Sequence, residues 1–143
     1  LLKGFKSRFG AGGTILEDGI ELQGDHRVRV IESLLEMGVQ AEMAGGEIIV
    51  SSISAWEIAM LVRGGRLAVS MDVAEWLTVV EDIEVVRFVP VDNEIGVKST
   101  ALPGEFHKDP ADRIIVATAR KLAAPLVTAD EKIRAYPNIR TIW

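Results

Sequence analysis

Four carboxylates stand where apolar runs give way to helices. Glu57 comes four residues after Ile53, the end of the run Glu47-Ile-Ile-Val-Ser-Ser-Ile53. Asp109 and Asp112 bracket the start of a helical pattern at Pro110, and Asp130 follows the short apolar stretch Pro125–Thr128. Mg²⁺ and Mn²⁺ prefer oxygen ligands, and Mg²⁺ often takes only one or two carboxylates directly, completing its shell with water and substrate phosphate. Three or four carboxylates drawn from separate segments could therefore hold one or two such ions. Bound ions of this kind activate water and stabilise the charge that develops on a phosphodiester.

A simpler role competes with that one. Ser54-Ala55-Trp56-Glu57 has the form of a capping box, as does Asp109-Pro110-Ala111-Asp112 in looser form. Asp72-Val73-Ala74-Glu75 has the same shape with no chemistry expected of it, and Asp130 suits an ordinary N-cap. Spacing alone favours capping, because helix N-termini attract acids in any case. The two roles are compatible: a helix N-terminus stabilises the ionised carboxylates that a cation gathers, and without the cation, crowding raises at least one pKa. His107 reads first as an exposed loop histidine, since no second histidine falls at a ligand spacing; a metal or substrate role is its alternative. Arg113 and Arg120 either solvate a helix face or contact phosphate. Trp56 and Trp76 each lie in an apolar helical pattern and are expected in the core rather than as base-stacking platforms. No nucleophile elbow, Walker loop, dinucleotide glycine motif or HExxH occurs.

The elements that must carry these acids alternate. Strands are expected at Glu47–Ile53, Glu84–Val89, Pro125–Thr128 and Ile139–Trp143. Helices are expected at Ser54–Arg63, closed by Gly64-Gly65, and at Asp72–Val80, Asp92–Ala101 and Pro110–Leu122, with a brief one opening at Asp130. Leu102–Lys108 reads as a loop. Towards the front, Thr14–Ile20 can hold a short strand, Asp25–Met37 has helical spacing, and Gly38–Gly46 ends in a Gly-Gly break. Short, wholly apolar strands alternating with helices predict a parallel sheet covered on both faces, with ligands beyond the carboxyl ends of the strands.

Composition narrows the class. At 143 residues, with 48% hydrophobic and 26% charged residues, the chain suits one domain with a real core. It holds no cysteine, which excludes disulfides, thiolate metal sites and a cysteine nucleophile and accords with a cytoplasmic protein. It opens on Leu1 rather than methionine, and its first residues do not read as a signal peptide; no apolar run is long enough for a membrane span. The net charge of −5 argues against non-specific gripping of nucleic acid, so action on RNA would need local or metal-mediated contacts, or a partner that supplies positive charge.

Four stretches together resemble the PIN domain, and in particular the VapC-type toxins of toxin–antitoxin pairs. They are VSSISAWEIAMLVRGGRL (50–67), LPGEFHKDPADRIIVATA (102–119), APLVTADEKIRAY (124–136) and TIW (141–143), in family order and spacing from Ala44 to Trp143. The resemblance implies a three-layer α/β/α sandwich on a mainly parallel central sheet, and Mg²⁺- or Mn²⁺-dependent cleavage of RNA by activated water. Carried over by position, it makes Glu57, Asp112 and Asp130 the acidic cluster, with Asp109 beside it. It implies a VapB-type antitoxin that fills the acidic groove, and a homodimer.

The front of the chain departs from that pattern. The family opens with a strand ending in Leu-Asp-Thr, whose aspartate is a main metal ligand, and no such motif occurs here. The nearest candidate is Asp18 in Ile15-Leu16-Glu17-Asp18, which precedes Glu57 by 39 residues. A strand over Thr14–Leu16 would set Asp18 at the sheet's carboxyl end, facing the other acids, as a fourth metal ligand. The chain is thus read as a single PIN-like domain whose residues 1–43 are atypical. Two other functions compete with an active ribonuclease: a catalytically impaired PIN protein that mainly binds an antitoxin, and a metal-independent α/β interaction domain whose acids are only caps.

Overall fold

A computed structural model describes residues 40–44 and 46–142. The expected strand at Thr14–Leu16, the helix at Asp25–Met37 and the placement of Asp18 lie outside the described residues.

Five strands form one sheet in the order β3-β2-β1-β4-β5: β1 (Ala41–Ala44), β2 (Glu47–Ser51), β3 (Val86–Val89), β4 (Leu126–Val127) and β5 (Thr141–Ile142). β2 pairs parallel with β3 and β4 with β5, whereas β1 runs antiparallel to both of its neighbours. Four strands therefore point one way and the central one points back, in keeping with the mainly parallel sheet that the resemblance implies. The cause is local. β1 and β2 are joined by a tight turn in which Gly46 has φ 84°, and a turn this short can join only antiparallel neighbours. The Gly-Gly break expected at this point is the turn of a hairpin.

The helices divide between the two faces. On one side α1 (Ser52–Arg63) and α2 (Val73–Glu81) bury Ile58, Trp76 and Val80 against Ile48, Val50, Ala41 and Val127. On the other, α3 (Asn93–Thr100), α4 (Pro110–Lys121) and α5 (Glu131–Arg134) bury Ile95, Ile115, Val116 and Ile133 against Leu126. Strand alternation sends successive residues of β2 and β4 into opposite layers, which is why these strands carry no polar face. The result is the three-layer sandwich, with its core on both faces of the sheet.

Glu42 interrupts that apolar rule. It sits in β1 opposite Ile49 and Leu126, is fully buried, and has no hydrogen-bond partner for either carboxylate oxygen among the described residues. Burial pushes its carboxyl up to about 8, against a small opposing pull from its own backbone.

Candidate active site at the acidic end of the sheet

The strand register defines where this end lies. Ala41 pairs with Val127 and Glu42 with Ile49, so one step further sets Gln40 level with Ser51 and Thr128, where β2 and β4 end. The chain turns from β2 directly into α1 there, and from β4 towards α5.

Glu57 is not a cap. The N-cap of α1 is Ser51, whose hydroxyl accepts from the Ile53 amide at 3.3 Å. The helix thus begins before Ser54, Ser54 is buried within its first turn, and Glu57 lies in the second turn, beyond reach of the free amides. This corrects the capping-box reading of Ser54–Glu57. Glu57 is half-buried, and its carboxyl is raised to about 7, first by burial and then by the negative charges of Asp112 and Asp109.

Asp112 fills only half of a capping box. Asp109, the N-cap of α4, accepts from the Asp112 amide at 3.1 Å. The return bond is not made: the Asp109 amide donates to His107 Nδ1 at 3.4 Å. The Asp112 carboxylate turns instead to Gln40, whose Nε2 donates to Oδ1 at 3.5 Å, and to His107, whose Nε2 lies 3.2 Å from Oδ2 but outside hydrogen-bond geometry. Burial raises the Asp112 carboxyl most, and Asp109 and Asp130 raise it further; His107 and Gln40 pull the other way. Asp130 caps α5 by accepting from the Ile133 amide at 3.0 Å, and its own amide donates to the Thr128 hydroxyl at 3.0 Å.

The loop before α4 is pinned in place. Arg113 donates from Nε to the Ser99 carbonyl at 2.8 Å and from Nη1 to the Phe106 and His107 carbonyls at 3.0 and 3.2 Å. The Tyr136 hydroxyl donates to the Pro103 carbonyl at 2.6 Å. Phe106 lies between Tyr136 and His107, with ring centroids 4.8 and 4.3 Å apart. Arg113 is therefore a clasp rather than a solvated surface charge. His107 is held against Asp112 and is not the exposed loop residue expected. Arg120 donates to the Asn138 carbonyl.

Of the expected site residues, Asp112 and Asp109 raise Glu57, and Asp109 and Asp130 raise Asp112. Sequence reasoning missed Gln40, because Gln-Ala-Glu-Met-Ala carries neither alternation nor β-branched residues to announce a strand. It also placed Trp56 in the core, where only Trp76 is found: Trp56 is 56% exposed and Trp76 0%. No three His, Asp or Glu side chains among the described residues stand close enough to enclose an ion by themselves. The donor set still fits a hard divalent cation in its chemistry. It is made of carboxylate oxygens whose mutual repulsion a cation relieves, and Mg²⁺ needs only one or two of them directly.

The model of the PIN domain matches residues 22–139. A relative, Ribonuclease VapC22 of Mycobacterium tuberculosis, is 36% identical over 106 residues, covering 73% of this chain and 80% of its own length. The front of the chain matches a second family, translation initiation factor SUI1, over residues 1–40. There the protein translation factor SUI1 homolog of Sulfurisphaera tokodaii is 61% identical over 33 residues, 23% of this chain and 33% of that protein. The homolog of Methanococcus maripaludis is 46% identical over 43 residues, 30% of this chain and 42% of that protein. The chain thus spans well under half the length of these translation-factor relatives. No solved structure matches the chain.

Proposed function

The chain belongs to the PIN-domain family, and from that membership we propose that it is a VapC-type ribonuclease whose chemistry is done at the acidic end of its sheet. The observation that carries the site is Glu57. Its place in the second turn of α1 leaves it no capping work, yet the charges of Asp112 and Asp109, on a separate element, raise its carboxyl.

Within this reading Asp112 and Glu57 are the carboxylates that hold a divalent cation, Mg²⁺ or Mn²⁺, with Asp130 and Asp109 adding negative potential around them. The cation supplies an activated water and neutralises charge on the phosphodiester. The chain's own residues do the positioning. Gln40 and His107 approach opposite oxygens of Asp112 and fix its carboxylate plane. Arg113 and the Phe106–Tyr136 packing hold His107 there. Burial and neighbouring charges raise Glu57 and Asp112, so each binds protons readily until a cation takes their place.

The proposed substrate is RNA, and the proposed partner is a VapB-type antitoxin bringing positive charge to an acidic groove; a homodimer is the proposed assembly. No helix among the described residues is long and apolar enough to cross a membrane. The test is cleavage of a mixed single-stranded RNA by the purified chain with Mg²⁺, with Mn²⁺ and with a chelator. Cleavage with either ion and none with the chelator is expected. Equal cleavage in all three would remove the cation from the reading, and cleavage in none would remove the ribonuclease.

A further inference from the structure

An acidic protein with an acidic centre must hold a polyanion by something besides net charge. The exposed face of α1 offers it. Trp56 is 56% exposed and Met60, one turn on, is 51% exposed. With Arg63, also exposed, they follow the i, i+4, i+7 spacing that puts three side chains on one helix face. Arg66 is exposed just beyond, after the turn where Gly65 takes φ 72°. The stripe therefore reads aromatic, apolar, basic, basic.

Its position matters as much as its composition. Trp56 is the residue before Glu57, so the two Cα atoms are about 3.8 Å apart. The charges of Asp112 and Asp109 bear on Glu57, while the indole beside it is exposed. Trp56 thus stands next along α1 to an acid of the candidate site.

We propose that Trp56 is a stacking platform for a base of single-stranded RNA next to the scissile phosphate, extended by Met60, with Arg63 meeting the following phosphate. Stacking suits this protein because it draws on the π-face that every base has and needs no positive net charge. The two arginines supply charge complementarity to a phosphate backbone locally, on a chain whose net charge is −5.

The inference rests on the ribonuclease reading, and the experiment separates the two. Binding of a short labelled single-stranded RNA is measured with Mg²⁺ present, in the Asp112→Asn background so that nothing is cut. Adding Trp56→Ala is expected to weaken binding roughly 10-fold or more, while Trp56→Phe stays within about 3-fold. In the cutting enzyme, Trp56→Ala is expected to raise KM and leave kcat close to wild type. An unchanged melting temperature checks that an exposed side chain was removed without unfolding. RNA bound equally well with Trp56 and with Ala overturns the platform and leaves the ribonuclease standing. RNA bound by neither protein overturns the ribonuclease reading and the platform with it. Unchanged RNA affinity together with loss of a dimer in sedimentation makes the stripe an interface between copies, and also overturns the platform.

Discussion

Glu42 and Glu57 are both carboxylic acids held far above their usual range, at about 8 and about 7, yet their surroundings differ in kind. Glu42 lies in the middle strand between Ile49 and Leu126, and burial alone raises it. Glu57 lies at the end of the sheet, half-buried, and owes part of its shift to Asp112 and Asp109. A cation relieves the second situation and does nothing for the first. A perturbed carboxyl points to chemistry only when its perturbers are other charges that a ligand can neutralise.

The sharpest way to test that distinction is at Asp112, the acid on which the others converge. Asp112→Asn keeps a side chain of the same shape but removes the charge a hard cation needs. It is expected to abolish RNA cleavage, a loss of at least about 100-fold, with the fold intact by circular dichroism; one good electrostatic contribution to a transition state is worth that much. A folded Asn variant that cuts RNA normally would break the comparison, because the acids would then be a cluster without a task.

The next effect belongs to Glu42 and is one of stability. Its folded pKa of about 8 stands above the 4.5 of a free glutamate, so the native state keeps a proton that the unfolded chain releases. Stability is then greatest below about pH 4.5, falls as pH rises, and levels off above about 8. At 1.36 kcal/mol per unit, the whole loss is at most about 4–5 kcal/mol. Glu57 contributes a slope of the same sign over a narrower window, so the quantity to read is the difference between proteins. Denaturant unfolding at pH 5, 7 and 9 is expected to show a steeper decline in wild type than in Glu42→Gln. Equal slopes would mean that Glu42 reaches water.

These two acids were not equally legible in the sequence. Glu57 could be placed because a run of candidate serine caps, a helix pattern and a family spacing all bear on it; what could not be read was its turn of the helix, since Ser51, Ser52 and Ser54 all qualify as caps and only backbone geometry selects Ser51. The helices from Val73 to Lys121 and the strands at Val86 and Leu126 were readable for the same reason: periodicity, caps and glycines agree there. Glu42 was invisible. A charged residue between Ala41 and Met43 gives no strand signal, and β1 is a strand because of its hairpin to β2 and its ladder to β4, both of which depend on tertiary context. The centre of the described sheet is held by β1, a strand the sequence did not announce. His107 and Arg113 illustrate the same limit: their loop is fixed by Tyr136, Asn138 and Ser99, all distant in sequence.

A smaller effect separates the two regions by ligand. Mg²⁺ or Mn²⁺ at millimolar concentration is expected to raise the melting temperature by about 2–5 °C, because the ion binds only where the acids are assembled. Glu57→Gln should reduce the gain, whereas Glu42→Gln should leave it unchanged. An equal response in wild type and Glu57→Gln would remove Glu57 from the cation's surroundings.

The smallest effect is a control for capping itself, and it turns on two aspartates that do the same local work. Asp72 caps α2, accepting from the Ala74 and Glu75 amides at 2.9 and 3.4 Å, and no candidate site residue is among its partners. Asp109 caps α4 with one comparable bond, but its charge also raises Glu57 and Asp112. Replacing a capping aspartate by alanine costs about 1 kcal/mol. Asp72→Ala is expected to lose that much in denaturant unfolding and to cut RNA at the wild-type rate. Asp109→Ala is expected to lose a similar amount of stability and, in addition, to cut RNA more slowly and respond less to Mg²⁺. If both variants lose only stability, Asp109 is a cap and the acidic site reduces to Glu57, Asp112 and Asp130. If Asp72→Ala also slows cleavage while remaining folded, losing a cap is enough to disturb the reaction, and the drop in Asp109→Ala no longer argues for its charge.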